Sequence, residues 1–131
     1  MEEGYYREQI IDLYESPLNF GELDPADFSY EEDNPLCGDV IRIDVRLDEN
    51  DRVADVAWSG DGCAISQASA SLLTDEIKGK TLDEVKAFDK DELLEMIGIP
   101  LSMARVKCAL LSLKVLKAGA YGLPGRDSLH K

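Results

Sequence analysis

The stretch "VIRIDVRLDENDRVADVAW" (residues 40–58) decides the fold. In its first half Ile41, Ile43, Val45 and Leu47 alternate with Arg42, Asp44 and Arg46, the period-two pattern of a strand with one packed and one wet face. "DEND" (48–51) is a strong turn signal. Val53 to Trp58 then reads as the returning strand, with Ala54, Val56 and Trp58 sharing a face. The two halves make an antiparallel hairpin.

Working outward, "YYREQIIDLY" (5–14) spaces Tyr6, Ile10 and Leu13 or Tyr14 for an amphipathic helix. Ser16-Pro17 and Asn19-Phe20-Gly21 break it, and the acidic segment 22–36 holds one short strand signal at Phe28-Ser29-Tyr30. After the hairpin, "SGDGC" (59–63) leads into a helix over 64–78, where Ile65, Ala68, Leu72 and Glu76 recur at helical spacing and Gly79 is the stop. Thr81–Glu84 and Asp89–Glu92 have capping-box spacing for two more helices, the second ended by Gly98 and Pro100. Ser102 caps a last helix with Val106, Leu110, Leu113 and Leu116 inward, Lys114 and Lys117 toward its C-terminal end and Gly119 as its stop. Residues 1–121 read as one domain and 122–131, "GLPGRDSLHK", as a flexible tail.

At 131 residues, 44% hydrophobic and 31% charged, the chain has the composition of a globular protein with room for one core. No apolar run nears the roughly 20 residues of a membrane helix, and the acidic start lacks the features of a secretion signal, so the expected location is the cytoplasm. With 27 acidic against 14 basic residues the net charge is −13. Such a surface repels phosphate backbones and anionic membranes, which argues against nucleic-acid or membrane partners; it also suits high salt, where counterions screen self-repulsion.

Three cysteines carry the chemistry. Cys37 lies in "NPLCGDV" (34–40), two residues before Asp39; Cys63 ends a Gly-rich loop before a helix; Cys108 falls in the first two turns of the last helix. An odd count is a poor disulfide framework, so reduced thiols are expected. All three sit near element ends rather than on packed stripes. A helix N-terminus offers N–H donors and partial positive charge at Cys63, and Arg105 and Lys107 supply cations near Cys108. Three thiolates with Asp39 form a four-ligand set suited to Zn²⁺ or iron, with Asp39 the hard member most easily displaced. The formal charge of −2 on such a zinc site is one that Arg105 and Lys107 can offset, a charge-tuning role. A purely structural zinc site accounts for the same residues. His130 reads as an idle tail residue and Tyr5 and Tyr6 as first-helix packing; no phosphate loop or serine–histidine pair is present.

The segments "YREQIIDLYESPLNFGEL" (6–23), "NPLCGDVIRIDV" (34–45), "GDGCAISQASASLLTDEIKGKT" (60–81) and "ARVKCALLSLKVL" (104–116) together resemble the U-type iron–sulfur cluster assembly proteins, the IscU/SufU/NifU N-terminal family. The family's ligand positions fall on Cys37, Asp39, Cys63 and Cys108. The resemblance implies an α+β domain, a small three-stranded antiparallel sheet covered by about four to five helices, with the ligands gathered at one end. Lys107 stands where the IscU branch usually has histidine, and "GIPLSMARVKC" (98–108) replaces that branch's Leu-Pro-Pro-Val-Lys motif. These features look like the SufU branch, although the 44 residues between Cys63 and Cys108 leave no room for the typical SufU insertion.

Three functions follow as expectations. The resemblance implies a scaffold that takes sulfur from a cysteine desulfurase of SufS or IscS type, builds a cluster, [2Fe-2S] in nuclearity, on Cys37, Asp39, Cys63 and Cys108, and passes it to apoproteins or a carrier. The alternative, implied by the likeness to the SufU branch, is a zinc-dependent sulfurtransferase relaying persulfide sulfur. Cys37 is the expected acceptor because its Pro/Gly loop moves more freely than a helical cysteine, with Cys108 the runner-up for its cationic neighbours. A structural-zinc module without sulfur chemistry is the third. Oligomeric state is not readable from these residues.

Overall fold

The computed structural model describes residues 2–34 and 38–122. The alternating stretch becomes the centre of a three-stranded antiparallel sheet of order β1-β2-β3, formed by β1 (Phe28–Asn34), β2 (Asp39–Leu47) and β3 (Val53–Asp61). The first helix α1 (Glu2–Glu15) precedes it, and α2 (Ala64–Glu76), α3 (Leu82–Ala87), α4 (Lys90–Ile97) and α5 (Met103–Tyr121) follow. The expected fold class is therefore observed. Both outer strands run longer than their sequence signals, because cross-strand pairing carries β1 to Asn34 opposite Asp39 and β3 to Asp61 opposite Val40.

Ile41, Ile43 and Val45 of β2 are buried among α2 and α5, as alternation requires. The opposite face is less wet than expected. Asp44 is 1% exposed because the segment before β1 lies across it. Its carboxylate accepts from Leu23 N at 3.1 Å, Ser29 Oγ at 2.6 Å and Arg42 Nε at 3.0 Å, so the buried charge is satisfied. On β3 the buried set is Val53, Val56, Ala57 and Trp58, while Ala54 is exposed, a departure from strict alternation that accompanies a register shift at Arg46/Leu47. The Trp58 indole donates to Leu18 O at 2.8 Å and meets the Phe20 ring edge-on at 4.9 Å. Residues 18–21 thus run along the outer side of β3 and cover an edge that would otherwise be open.

Small residues set the helix packing. Ser69 donates its hydroxyl to Ala109 O and lies 3.3 Å from Ser112 Oγ, which seats α2 closely against α5. On α5 the buried residues are Cys108, Ala109, Leu111, Ser112, Leu113, Val115, Leu116, Gly119 and Ala120; of the four expected inward positions Leu113 and Leu116 are buried, while Val106 and Leu110 are only partly so. Gly119 does not stop the helix, which runs on to Tyr121. A Cβ there would stand 2.7 Å from the Phe28 ring, so the glycine serves the contact between α5 and β1. Lys114 pairs with Glu32 of β1 at 3.4 Å.

Both predicted boxes cap their helices. Glu84 N donates to Thr81 Oγ1 at 3.1 Å while Thr81 N donates to the Glu84 carboxylate at 2.8 Å, and Asp89 N donates to Glu92 at 3.3 Å. The Thr81 backbone bond, helped by its hydroxyl, holds the Glu84 carboxyl below its usual 4.5. The folded value is the depressed one. The resulting stabilisation is complete above the unfolded value and disappears as pH falls through the folded value. A carboxyl NMR titration should place Glu84 below 4.5, with Thr81→Ala moving its midpoint upward.

Candidate metal centre

Pairing of Val40 with Asp61 sets Asp39, the first residue of β2, beside the Gly62-Cys63 turn that leaves β3. There Asp39 is buried, its Oδ1 accepting from Cys63 N at 3.0 Å and its Oδ2 3.9 Å from Cys63 Sγ. One carboxylate oxygen holds the turn while the other faces the sulfur. Cys63 is the half-buried N-cap of α2, in extended conformation (φ −72°, ψ 167°), and its side chain makes no capping bond to the helix. The Ser69–Ala109 contact brings the start of α5 against α2 and delivers Cys108 from a third direction. One ligand atom from each of Asp39, Cys63 and Cys108 lies within 4.8 Å of the others.

Tetrahedral coordination with metal–sulfur bonds of about 2.3 Å and metal–oxygen bonds of about 2.1 Å needs ligand atoms roughly 3.5–3.8 Å apart. The Asp39–Cys63 pair is already there at 3.9 Å, and side-chain torsions can close the remaining separation. The donor set therefore fits zinc or iron. Cys63 is a free thiol, whereas Cys108 is disulfide-bonded in this structure, contrary to the expectation drawn from the odd count. Cys108 must be reduced before it can ligate.

Cys37 lies outside the described residues, as do His130 and all of the expected tail beyond Gly122. Arg105 and Lys107 are exposed on α5. The Arg105 amide donates to Ser102 Oγ at 3.3 Å, completing the predicted cap. Its side chain borders an apolar hollow of about 230 Å³ floored by Ile10, Ile65 and Ile99, with Arg7 on another side. Tyr5 is exposed rather than packed.

Three residues of the site escaped the sequence reading. Gly62 is one: a Cβ there would stand 2.5 Å from Asp39 Oδ1 and 2.6 Å from Ser66 Oγ. Ser66 is buried, and its hydroxyl lies 3.1 Å from Cys63 O and 3.8 Å from Cys63 Sγ. Gln67 Nε2 donates to Gly62 O at 2.9 Å. The available signal was positional: "GCAISQ" (62–67) places polar side chains three and four residues after a helix-starting cysteine, where they reach back over the first turn.

A three-stranded α+β domain that brings a carboxylate from the start of a strand, a thiol from a helix N-cap and a cysteine from a second helix to within 4.8 Å has a ligand set that could hold a metal ion. The chain belongs to the family of the NifU-like N terminal domain, which matches residues 5–129. It is 37% identical to the zinc-dependent sulfurtransferase SufU of Bacillus subtilis, over 87% of this chain and 88% of that one. It is 34% identical to the iron–sulfur cluster assembly scaffold protein IscU of Haemophilus influenzae, over 86% and 90%. Among solved structures it is similar to FiSufU of Fervidobacterium islandicum AW-1, with a TM-score of 0.74, 29% identity and coverage of 86% and 94%.

Proposed function

We propose that this protein takes sulfur from a cysteine desulfurase and assembles or relays it at Cys37, Asp39, Cys63 and Cys108, working as a scaffold for iron–sulfur clusters. The supporting observation is the convergence of Asp39, Cys63 and Cys108 from three elements to within 4.8 Å. Iron and sulfide are cargo here, and Asp39 is the ligand suited to letting them go. Its Oδ2 can leave an ion while Oδ1 keeps its bond to Cys63 N, so release need not disturb the turn. Among the described residues no helix is long and apolar enough to cross a membrane.

The likeness to SufU supports a second reading, a zinc-dependent sulfurtransferase. Bound zinc would keep the sulfurs as thiolates. The Cys37 thiolate would attack the outer sulfur of the donor's persulfide; a new S–S bond forms, the donor's S–S bond breaks and the donor cysteine leaves as thiolate. Arg105 would tune charge at the Cys108 side.

Oxygen-free incubation of the reduced protein with ferrous iron, cysteine, a desulfurase and a thiol reductant that reduces the transferred sulfur to sulfide separates the two readings. A scaffold develops visible cluster absorption that Cys63→Ala abolishes. A protein that binds no iron under any such condition is not a scaffold. Mass spectrometry after brief desulfurase treatment should find the extra sulfur on Cys37, and finding it only on Cys63 would remove Cys37 as acceptor.

A further inference from the structure

We infer that Ser66 is a positioning residue whose hydroxyl donates a hydrogen bond to the Cys63 sulfur whenever that sulfur carries a metal ion, an inference that rests on the metal-binding reading above. Ser66 lies in the first turn of α2 and is 1% exposed. Its hydroxyl has one proton and two lone pairs. With Cys63 a free thiol, its one proton is shared between Ser66 Oγ at 3.8 Å and Asp39 Oδ2 at 3.9 Å, and Ser66 donates to Cys63 O across 3.1 Å. Once the sulfur has given up its proton to bind a cation it can only accept. The nearest side-chain hydroxyl is then pointed the wrong way.

Turning it costs little, for a reason specific to this turn. Cys63 O has a second donor, the Gln67 amide at 3.1 Å, which remains when Ser66 leaves. The hydroxyl can therefore rotate about its own C–O bond toward the sulfur without orphaning the carbonyl and without moving a heavy atom. The loop is built around this reach. The space where a Gly62 side chain would sit is bounded by Asp39 Oδ1 and Ser66 Oγ, at 2.5 and 2.6 Å, so the glycine lets the carboxylate and the hydroxyl stand on the same side of the turn as the sulfur. Hydrogen bonds to a ligating group orient it and adjust its electron donation to the metal, and losing one typically costs about 10–100-fold in affinity.

The test uses the full chain, reduced and freed of metal, titrated with Zn²⁺ against a chelator and separately with Co²⁺. Ser66→Ala should bind Zn²⁺ about 10-fold more weakly than the parent. Its thiolate-to-cobalt charge-transfer band should move to lower energy, because a sulfur lone pair without a hydrogen bond is easier to ionise. The metal-free unfolding midpoint should stay near the parent's, since Gln67 still serves Cys63 O. Ser66→Thr, which keeps the hydroxyl, should restore band position and affinity. Equal affinity and an unmoved band in Ser66→Ala overturn the inference while leaving the metal site standing, and so does a threonine variant that behaves like the alanine one. A parent that binds neither ion overturns the metal reading and this inference with it.

Discussion

Gly62→Ala should lower zinc affinity about 100-fold and destabilise the metal-free protein by about 1–3 kcal/mol. The added Cβ would stand 2.5 Å from Asp39 Oδ1, 2.6 Å from Ser66 Oγ and 2.7 Å from Asp39 Cγ, all far inside van der Waals contact. None of the three can simply step aside. Asp39 is buried and its backbone is paired with Asn34 of β1; Ser66 is locked into the first turn of α2. Either the turn lifts and the bond from Cys63 N to Asp39 breaks, or the carboxylate swings off the sulfur. Each route disperses the ligand set. Gly4→Ala is the matched control, because α1 leaves open space around that position, and alanine there should bind metal like the parent and be slightly more stable. Chelator competition and denaturant midpoints measure both effects. Parent-like affinity in Gly62→Ala would show that the crowding at this turn has no bearing on the metal.

What could be read from the residues alone was what local chemistry determines. The alternation in 40–47, the boxes at Thr81 and Asp89 and the Ser102 cap each depend on side chains within four positions of one another, and each is observed. Errors arose where partners come from far along the chain. Asp44 carries the polar signature of a wet face, yet Leu23 and Ser29 reach over to bury it. Gly119 has the look of a helix stop, yet its role is to admit Phe28 from β1. The buried face of α5 is broader than the stripe its leucines suggest: Leu113 and Leu116 are inward as expected, but Ala109 and Ser112 join them where Ser69 seats the helix against α2 on small residues that hydrophobic spacing ignores. The site divides the same way. Asp39, Cys63 and Cys108 were legible as ligand types, but their convergence depends on strand register and on the contact between α2 and α5. Gly62 and Ser66 acquire meaning only once Asp39 is seen beside them.

Asp39 itself offers the sharpest separation of structure from chemistry. Asp39→Ala removes the acceptor of Cys63 N at a buried position, and a stranded amide there should cost about 1–3 kcal/mol of metal-free stability. Asp39→Asn keeps an oxygen in the same place and should lose less than half as much. Toward metal the two should look alike, since a carboxamide oxygen is a far poorer zinc ligand than a carboxylate: both should release Zn²⁺ to a chelator at least 10 times faster than the parent. That split requires a domain that stays folded without metal. The interior supports this, for Ile41, Ile43, Val45, Trp58, Leu73, Val115 and Leu116 are essentially inaccessible to water and pack without help from the ligand atoms. Stripping metal from the reduced parent should therefore leave its far-ultraviolet dichroism and cooperative unfolding intact. Collapse on metal removal, with both Asp39 variants equally unfolded, would instead identify a structural zinc module, and the cysteines would then hold the fold together rather than handle sulfur.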